Sequence, residues 1–346
     1  MAAKIHTTKD APFAPLKKKT LAVIGFGSQG HAHALNLKDC GLKVIIGLYP
    51  LSKSREIAVA HGFEVMDTAA AVKAAEVIFI AVPDAVIPAV YEKDIAPHLA
   101  KGKTLLFAHG FAVHFKTVKP ARNVDVILVA PRGPGHAVRS LFIAGMGVPG
   151  LIAVHRDVTG RARLTALAWA GALGCARAGI YETSFREETI TRLFGEQCVT
   201  CGGVSALVKA GFETLVDAGY APVMAYYGCL HELKLIADLM SEQGLAGMRF
   251  SISDTAEYGD LTVGPRIIDA AVRKRLSAQL QAIESGKFAK EWMHEFHSGG
   301  KTLKAARKAE NNHPIEKIGD KLRTTMSWIR QGRLSKGASR TGYPSR

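Results

Sequence analysis

A glycine-rich segment near the start of the chain has the residue types and spacing of a phosphate-binding turn. It reads Gly25-Phe-Gly27-Ser-Gln-Gly30, directly after an apolar run and directly before a helical pattern that ends at Gly41. In that context the glycines allow a tight turn and a close backbone approach, and the helix N-terminus faces a pyrophosphate. A purely structural turn is the alternative, but the context favours a dinucleotide. We predict cofactor contacts from Gly25, Phe26, Gly27, Ser28, Gln29 and Gly30.

The segment after the second apolar run bears on the choice between NAD(H) and NADP(H). NAD-binding domains usually place an acidic residue there to bind the ribose hydroxyls. This chain instead has Tyr49-Pro-Leu-Ser52-Lys-Ser54-Arg55, with several hydrogen-bond donors and no acid. Donors suit a 2′-phosphate, so the sequence favours NADP(H), with Tyr49, Ser52 and Ser54 as ligands, and leaves NAD(H) open. Asp84 follows the third run, where such domains also contact the cofactor.

Apolar runs separated by alanine-rich amphipathic segments predict the strands that position these residues. The runs are 20–25, 43–47, 76–81, 104–108, 125–130 and 151–154. Continuous β-branched runs indicate strands buried on both faces of a parallel sheet. The alternation with helical segments predicts an α/β fold, a doubly wound Rossmann-type domain over residues 1–182.

Beyond residue 182 the strand-like runs disappear. Helical patterns follow at 187–201, 204–218, 224–243 and 265–285. We therefore predict an all-helical second domain over residues 183–330.

Composition and charge narrow the class of protein. The chain has 346 residues, of which 48% are hydrophobic and 22% charged, and this argues against disorder, collagen and coiled coil. Five scattered cysteines argue against a disulfide framework, and Cys198-x-x-Cys201 is interpreted as helix packing. No apolar run approaches the roughly 20 residues of a membrane span, and the first ten residues do not resemble a secretory signal. A cytoplasmic protein with no membrane partner is expected.

The net charge of +15 is concentrated near the C-terminus. Residues 301–346 contain twelve Lys or Arg against three acidic residues. We interpret residues 331–346 as a disordered basic tail. Because no stacking motif or zinc spacing accompanies the charge, we expect no nucleic-acid partner.

Several blocks, in order, resemble the ketol-acid reductoisomerases of branched-chain amino-acid biosynthesis, in their short form. The resemblance extends from about residue 4 to residue 329. Its blocks are Gly25-Phe-Gly-Ser-Gln-Gly-His-Ala-His-Ala-Leu-Asn-Leu37, Phe107-Ala-His109-Gly-Phe111, Ala130-Pro-Arg132-Gly-Pro-Gly-His136, Leu193-Phe-Gly-Glu196-Gln197, Cys229-Leu-His-Glu232-Leu-Lys-Leu235 and Ser251-Ile-Ser253-Asp-Thr-Ala-Glu-Tyr-Gly-Asp260. The resemblance implies a knotted helical C-terminal domain and a homodimer or larger homo-oligomer.

The resemblance also implies a reaction and a site. That family rearranges a 2-aceto-2-hydroxy acid by magnesium-dependent alkyl migration and reduces the resulting 2-keto acid with NADPH. Its two magnesium ions are held by two pairs of carboxylates at i,i+4 spacing, which places both members of a pair on one helix face. In this chain Glu196 and Glu232 match one metal ligand of each pair. His109 matches the active-site histidine, Ser253 a substrate-binding serine, Gly135 a cofactor contact, and Glu232 is also the candidate acid/base.

The chain departs from the family pattern at the centre of that site. Arg192 stands where the first aspartate is expected, and Gly228 where the third carboxylate is expected. Arg132 replaces a lysine, Ile190 a glutamate and Asp254 an asparagine. Arg192, Glu196 and Glu232 together carry a charge of −1, so two divalent cations would leave +3 in a partly desolvated cleft. We predict at most one Mg²⁺.

These departures favour redox chemistry over isomerisation. Arg192 or Arg132 could polarise a carbonyl or bind a carboxylate. With His109 and Glu232 they form the predicted catalytic set. We predict an NAD(P)-dependent oxidoreductase that acts on a small hydroxy or keto acid in a specialised pathway. A remodelled relative of this kind forms a cyclopropanol from a sulfonium diol acid. The alternatives are a true reductoisomerase with a reduced metal site and an inactive dinucleotide-binding paralogue.

Overall fold

A computed structural model describes residues 4–326, which divide into two compact units, 4–189 and 190–326. The sequence-based border at 182/183 lies between the last strand and the helix that crosses the border between the units. The predicted basic tail, 331–346, lies outside the described residues.

The first unit is built on one nine-stranded sheet. Its strands are β1 Ile5–His6, β2 Thr20–Ile24, β3 Lys43–Gly47, β4 Glu64–Met66, β5 Val77–Ile80, β6 Thr104–Phe107, β7 Asp125–Pro131, β8 Gly150–Arg156 and β9 Ile180–Glu182. The spatial order is β1-β9-β8-β7-β6-β5-β2-β3-β4, in which the strands from β7 to β4 are parallel. The helices are α1 Ser28–Asp39, α2 Ser54–Ala60, α3 Thr68–Ala74, α4 Ile87–Val90, α5 Phe111–His114, α6 Gly135–Ile143 and α7 Ala162–Ala172.

The predicted Rossmann-type fold is confirmed, and one of its details is corrected. All six predicted strands form, and the short strands β1, β4 and β9 join them. β8 runs antiparallel to β7, and β1 antiparallel to β9, so the sheet is mixed rather than wholly parallel. An apolar run indicates that a strand is buried, but burial does not specify whether the strand runs parallel or antiparallel to its neighbours.

A buried histidine lies in the core between the sheet and the helices. The His33 ring on α1 stacks on Phe79 with centroids 4.4 Å apart, and its Nδ1 accepts a hydrogen bond from Trp169 Nε1 at 3.2 Å. All three side chains are fully buried. Burial lowers the pKa of His33 from 6.5 to about 3, so the folded protein holds this imidazole neutral.

Acidification is expected to destabilise the protein through His33. Below pH 6.5 the unfolded chain protonates this residue while the folded chain does not until about pH 3, so stability is lost as pH falls across that window. At pH 5 the loss is about 2 kcal/mol relative to pH 7.5. Urea unfolding of the wild type and of His33→Gln measures this loss of stability. The amide oxygen of the glutamine can still accept the hydrogen bond from Trp169. An equal fall in stability in both proteins would contradict the assignment.

The second unit is helical, as predicted. α8 Phe185–Gly195 crosses the border between the units and is followed by a π-helical turn, Glu196–Thr200. The helices that follow are α9 Gly202–Asp217, α10 Pro222–Tyr226, α11 Leu233–Phe250, α12 Asp254–Ile267, α13 Ala270–Glu284, α14 Lys287–His297, α15 Lys301–Asn311 and α16 Pro314–Thr325, with a second π-helical turn, Tyr227–His231, between α10 and α11.

The predicted helix 265–285 is wrong at its start. Pro265 lies inside α12, which continues to Ile267, and a new helix begins at Ala270. Asp269 caps that helix, because its Oδ1 accepts from the Val272 N–H at 2.9 Å. An acidic side chain that satisfies a free N–H of the first turn is a common helix start.

Many apolar side chains of the second unit are exposed in the single chain. One small core cluster of this unit consists of Phe212, Ala225, Tyr226 and Ile315 with their neighbours. Phe250 is 91% exposed and Leu235 is 60% exposed. The helical segment 185–217, 33 residues long, is long and apolar enough to cross a membrane by length and composition alone.

Candidate active site

The glycine-rich turn lies at the point where the strand order reverses. β2 is flanked by β3 on one side and β5 on the other, so a crevice opens beyond its carboxyl end. Gly25 has φ +101°, and a Cβ there would lie 2.8 Å from the Ala81 carbonyl oxygen. Gly27 precedes α1, and a Cβ on it would meet no atom of the described chain within 4 Å. The turn therefore combines a tight backbone with open space before a helix N-terminus, which suits a pyrophosphate.

The loop between β7 and α6 closes one side of this turn. A Cβ on Gly135 would overlap the Ser28 carbonyl, so glycine is required for the two loops to meet. Gln29 Nε2 donates to the Gly133 carbonyl at 2.9 Å. Of the predicted cofactor residues, Ser28, Gln29 and Gly135 thus lie together at the same edge of the sheet. The Arg132 side chain is exposed on the same loop.

The loop after β3 forms a closed turn. Ser52 Oγ accepts from the Ser54 N–H at 3.3 Å, and the Ser52 N–H donates to the Tyr49 carbonyl at 3.1 Å. Arg55 Nη1 donates to the Leu48 carbonyl at 2.9 Å and to Asp67 Oδ1 at 3.1 Å. The guanidinium of Arg55 is therefore bound to its own loop and to Asp67 after β4, while Ser52 and Ser54 lie at the turn itself.

A histidine and two carboxylates meet beyond the ends of β5 and β6. His109 Nδ1 lies 3.0 Å from Asp84 Oδ2, and its Nε2 lies 3.9 Å from Glu188 Oε2. The same Glu188 oxygen accepts from the Gly110 N–H at 2.8 Å. Glu188 is fully buried, and the His109 side chain is 13% exposed. Asp84 was predicted as a cofactor contact, which stays a prediction, and the structure pairs it with His109.

Sequence reasoning missed Glu188. Its neighbour Glu187 occupies the glutamate position of a capping box at the start of α8. The Glu187 N–H donates to Ser184 Oγ at 3.0 Å, which is the first half of that motif. Glu188 points the other way, into the core. A second acidic residue next to a capping glutamate was the available signal, but two acids in a first helical turn are also favoured by the helix dipole.

The second unit holds the remaining predicted residues. On α8, Arg192 Nε donates to Glu196 Oε1 at 3.0 Å, an i,i+4 ion pair. Gly228 lies within the second π-helical turn and Glu232 directly follows it, and both residues are exposed. Ser253 caps α12, with its Oγ accepting from the Ala256 N–H at 3.3 Å.

Both matched metal-ligand positions lie at π-helical turns. One turn begins at Glu196 and the other ends directly before Glu232. Such turns occur frequently at functional sites. The sequence did not predict them, because a single inserted residue in a helix leaves no clear periodic signal.

The four positions that match the family's magnesium ligands depart from the family pattern in this chain. Two of the four matched positions carry no carboxylate, and one of the remaining carboxylates is paired with an arginine. Within residues 4–326, no cluster of three or more His, Cys, Asp or Glu side chains is arranged to hold a metal ion.

The sheet order, the glycine-rich turn and the helical second unit define a Rossmann-type, nicotinamide-dependent oxidoreductase. The NADPH-binding domain of acetohydroxy acid isomeroreductase matches residues 15–179, and the C-terminal domain of ketol-acid reductoisomerase matches residues 185–328. The chain belongs to the ketol-acid reductoisomerase family.

Individual relatives agree with that assignment. The chain is 54% identical over 321 residues to a ketol-acid reductoisomerase (NADP(+)) of Petrotoga mobilis, covering 93% of this chain and 97% of the relative. The solved NADH-preferring ketol-acid reductoisomerase from an uncultured archean superposes with a TM-score of 0.90 at 44% identity, covering 93% of this chain and 98% of that one. A semialdehyde dehydrogenase NAD-binding protein of Cupriavidus necator, 17% identical with a TM-score of 0.59 over 77% of this chain and 99% of that one, shares the fold.

Proposed function

We propose that this reductoisomerase-family enzyme transfers hydride between NADP(H) and a small hydroxy or keto acid and no longer performs the alkyl migration. The observation that carries the proposal is the Arg192–Glu196 ion pair at 3.0 Å. An arginine that holds a ligand carboxylate both neutralises the charge that a divalent cation needs and competes for its oxygen. A role in a specialised biosynthetic pathway is part of the proposal.

The proposed metal content is at most one Mg²⁺. Glu196 and Glu232 are the carboxylates that would bind it, and Gly228 offers no side-chain oxygen. Alkyl migration in this family depends on metal ions that stabilise charge on the substrate oxygens. Hydride transfer requires less: a docked nicotinamide and a hydrogen-bond donor or positive charge at the carbonyl oxygen.

Residues of this chain are available for each of those tasks. His109, oriented through Nδ1 by Asp84, is the proposed proton donor or acceptor. Glu232 is the proposed second acid/base, and Ser253 is a proposed substrate contact. Arg192 and Arg132 are proposed to bind the substrate carboxylate or polarise its carbonyl.

NADP(H) is the proposed cofactor, with NAD(H) as the alternative. Backbone N–H groups of the turn 25–30 and the open space beside Gly27 would accommodate the pyrophosphate. Tyr49, Ser52 and Ser54 lie on the turn that would meet the adenosine ribose, where no acidic residue stands. One relative is named for NADP(+) and the other for a preference for NADH.

An assay of NAD(P)H oxidation tests the proposal. We expect reduction of 3-hydroxy-3-methyl-2-ketobutyrate and no turnover of 2-acetolactate, with or without magnesium. Acetolactate turnover on the order of 1 per second or faster would overturn it and favour the second candidate, a true reductoisomerase with a reduced metal site, to which the 54% identity points. If cofactor binds but no alcohol or keto acid reacts, an inactive paralogue is favoured. A sulfonium diol acid, offered with NAD(P)⁺, tests the cyclopropanol-forming alternative.

We propose that a second copy of this chain covers the exposed apolar side chains of the second unit, giving a homodimer or larger assembly. Several large apolar side chains of this unit are exposed, among them Phe250 and Leu235, and extensive exposed apolar surface is characteristic of an oligomer interface. The run 185–217 is assigned to this interface rather than to a membrane, and the enzyme to the cytoplasm, without a nucleic-acid partner.

Light scattering coupled to size-exclusion chromatography measures the assembly. The wild type should have a mass of at least twice the 37.1 kDa of one chain. Replacing Phe250, 91% exposed, and Leu235 by aspartate should shift the mass toward that of one chain. Ile143→Asp in the first unit, 67% exposed, is the matched control and should leave the mass unchanged. A wild type that elutes as a single chain would refute the interface.

A further inference from the structure

Two histidines of the first unit face each other beside the glycine-rich turn. His31 lies in the first turn of α1, and His61 directly follows α2. Their Nε2 atoms are 3.4 Å apart, and their ring centroids are 5.0 Å apart at an interplanar angle of 71°. The proposed reaction uses neither side chain.

The separation of the two nitrogens matches a shared metal ion better than a direct hydrogen bond. Protein hydrogen bonds from N–H donors are usually about 2.7–3.2 Å long, shorter than the 3.4 Å between His31 and His61. Two imidazole nitrogens that bind one tetrahedral ion at about 2.0–2.1 Å lie about 3.4 Å apart. The same geometry places the ring centroids about 5.2 Å apart, close to the observed 5.0 Å.

Neighbouring groups hold the two rings in place. The Phe26 ring lies 5.2 Å from the His31 ring and 6.4 Å from the His61 ring, centroid to centroid. Lys38 Nζ donates to the His61 carbonyl at 2.7 Å and lies 4.9 Å from the centroid of Phe63, which also packs on Phe26. A site whose ligands are held before binding loses less entropy when the ion arrives.

The neutral state of His31 and the access of solvent suit a metal ion, while Arg139 and Lys38 contribute positive charge nearby that opposes one. Burial, with smaller contributions from His61 and Arg139, lowers the pKa of His31, so its imidazole is neutral at neutral pH with a lone pair available. His31 is half-buried and His61 is exposed, so water molecules can complete the coordination. Imidazole nitrogens prefer zinc, copper and nickel, whereas carboxylates prefer magnesium.

We propose that His31 and His61 form a binding site for one borderline transition-metal cation of the Zn²⁺, Ni²⁺ or Cu²⁺ type, separate from the carboxylates at 196 and 232. The ion would join the first turn of α1 to the end of α2. Since the site lies within the nucleotide-binding unit and uses no residue of the proposed reaction, it stands independently of the hydride-transfer proposal.

Equilibrium dialysis of the full chain against Zn²⁺, with metal analysis of the retained protein, is the test. We expect His61→Gln and His31→Gln each to remove one zinc equivalent, with affinity at that site falling at least tenfold. Because a metal-binding imidazole must be neutral, binding should weaken as the pH falls. His98→Gln and Cys201→Ser are the matched controls, and neither should change the content of that site.

Location of the ion provides the second measurement. Anomalous diffraction from zinc-soaked crystals should show a peak about 2 Å from both Nε2 atoms. Unchanged zinc stoichiometry and affinity in both histidine variants, or a peak found only at Cys201 or at His109, would overturn the proposal. Circular dichroism of each variant verifies the fold, so a lost site can be distinguished from a lost structure.

Discussion

Replacing Arg192 by aspartate together with Gly228 by glutamate should introduce magnesium-dependent turnover of 2-acetolactate. The double variant removes the arginine that pairs with Glu196 at 3.0 Å and restores a carboxylate at all four matched positions. Four carboxylates carry −4, which two Mg²⁺ ions neutralise, whereas the present residues carry −1. We expect a gain on the order of 100-fold or more over the parent, because Lewis-acid stabilisation contributes several kcal/mol and each 1.4 kcal/mol is tenfold in rate.

A matched control separates charge from shape in that experiment. Arg192→Asn with Gly228→Gln introduces side chains of nearly the same size without the negative charges. A Cβ on Gly228 meets no atom of the described chain within 4 Å, so the first carbon of either side chain meets no steric obstacle there. The control should bind no additional magnesium and should turn over no acetolactate. If the double carboxylate variant binds two ions and still fails to isomerise, the loss of activity lies elsewhere in the site and the ion pair is not its cause.

Substituting His109 by glutamine should lower the rate of keto-acid reduction by a factor of roughly 100 or more, the range associated with loss of a general acid or base. His109 is oriented by Asp84 at 3.0 Å and lies 3.9 Å from the buried Glu188, so its ring is held in one orientation beside the carboxyl ends of β5 and β6. Steady-state kinetics across pH 6–9 measure the effect. The fall should appear in kcat, with cofactor affinity little changed.

Two further variants test the assignment of roles around His109. Asp84→Asn should reduce kcat less than His109→Gln and should shift the pH profile, because the amide can still contact Nδ1 but carries no charge. His98→Gln, which changes a half-buried histidine preceding β6, should leave kcat within about twofold, as expected for surface changes distant from a site. A His109→Gln enzyme with wild-type kcat would remove the histidine from the mechanism.

Local sequence was sufficient for the elements and for the cofactor turn. The six apolar runs form strands. A continuous apolar run is typical of a strand that is buried on both faces of a sheet, because helices cover both sides. The segment 25–30 needs only its glycines, its preceding strand and its following helix to define a phosphate-binding turn. The departures at Arg192 and Gly228 are also visible without a structure, because the resemblance to the family implies a carboxylate four residues before Glu196 and four residues before Glu232.

Only the tertiary structure decided which distant side chains meet. His109 and Glu188 meet although they are 79 residues apart in the sequence, and His31 and His61 meet although they are 30 residues apart. Hydrophobic periodicity carries no information about contacts at such sequence separations. The antiparallel direction of β8 and the π-helical turns at Glu196 and Glu232 were likewise undetermined, because burial does not encode strand direction and one inserted residue leaves no clear periodic signal. Hydrophobic pattern is a property of neighbours in the chain, whereas a binding site is made by packing residues that are distant along it.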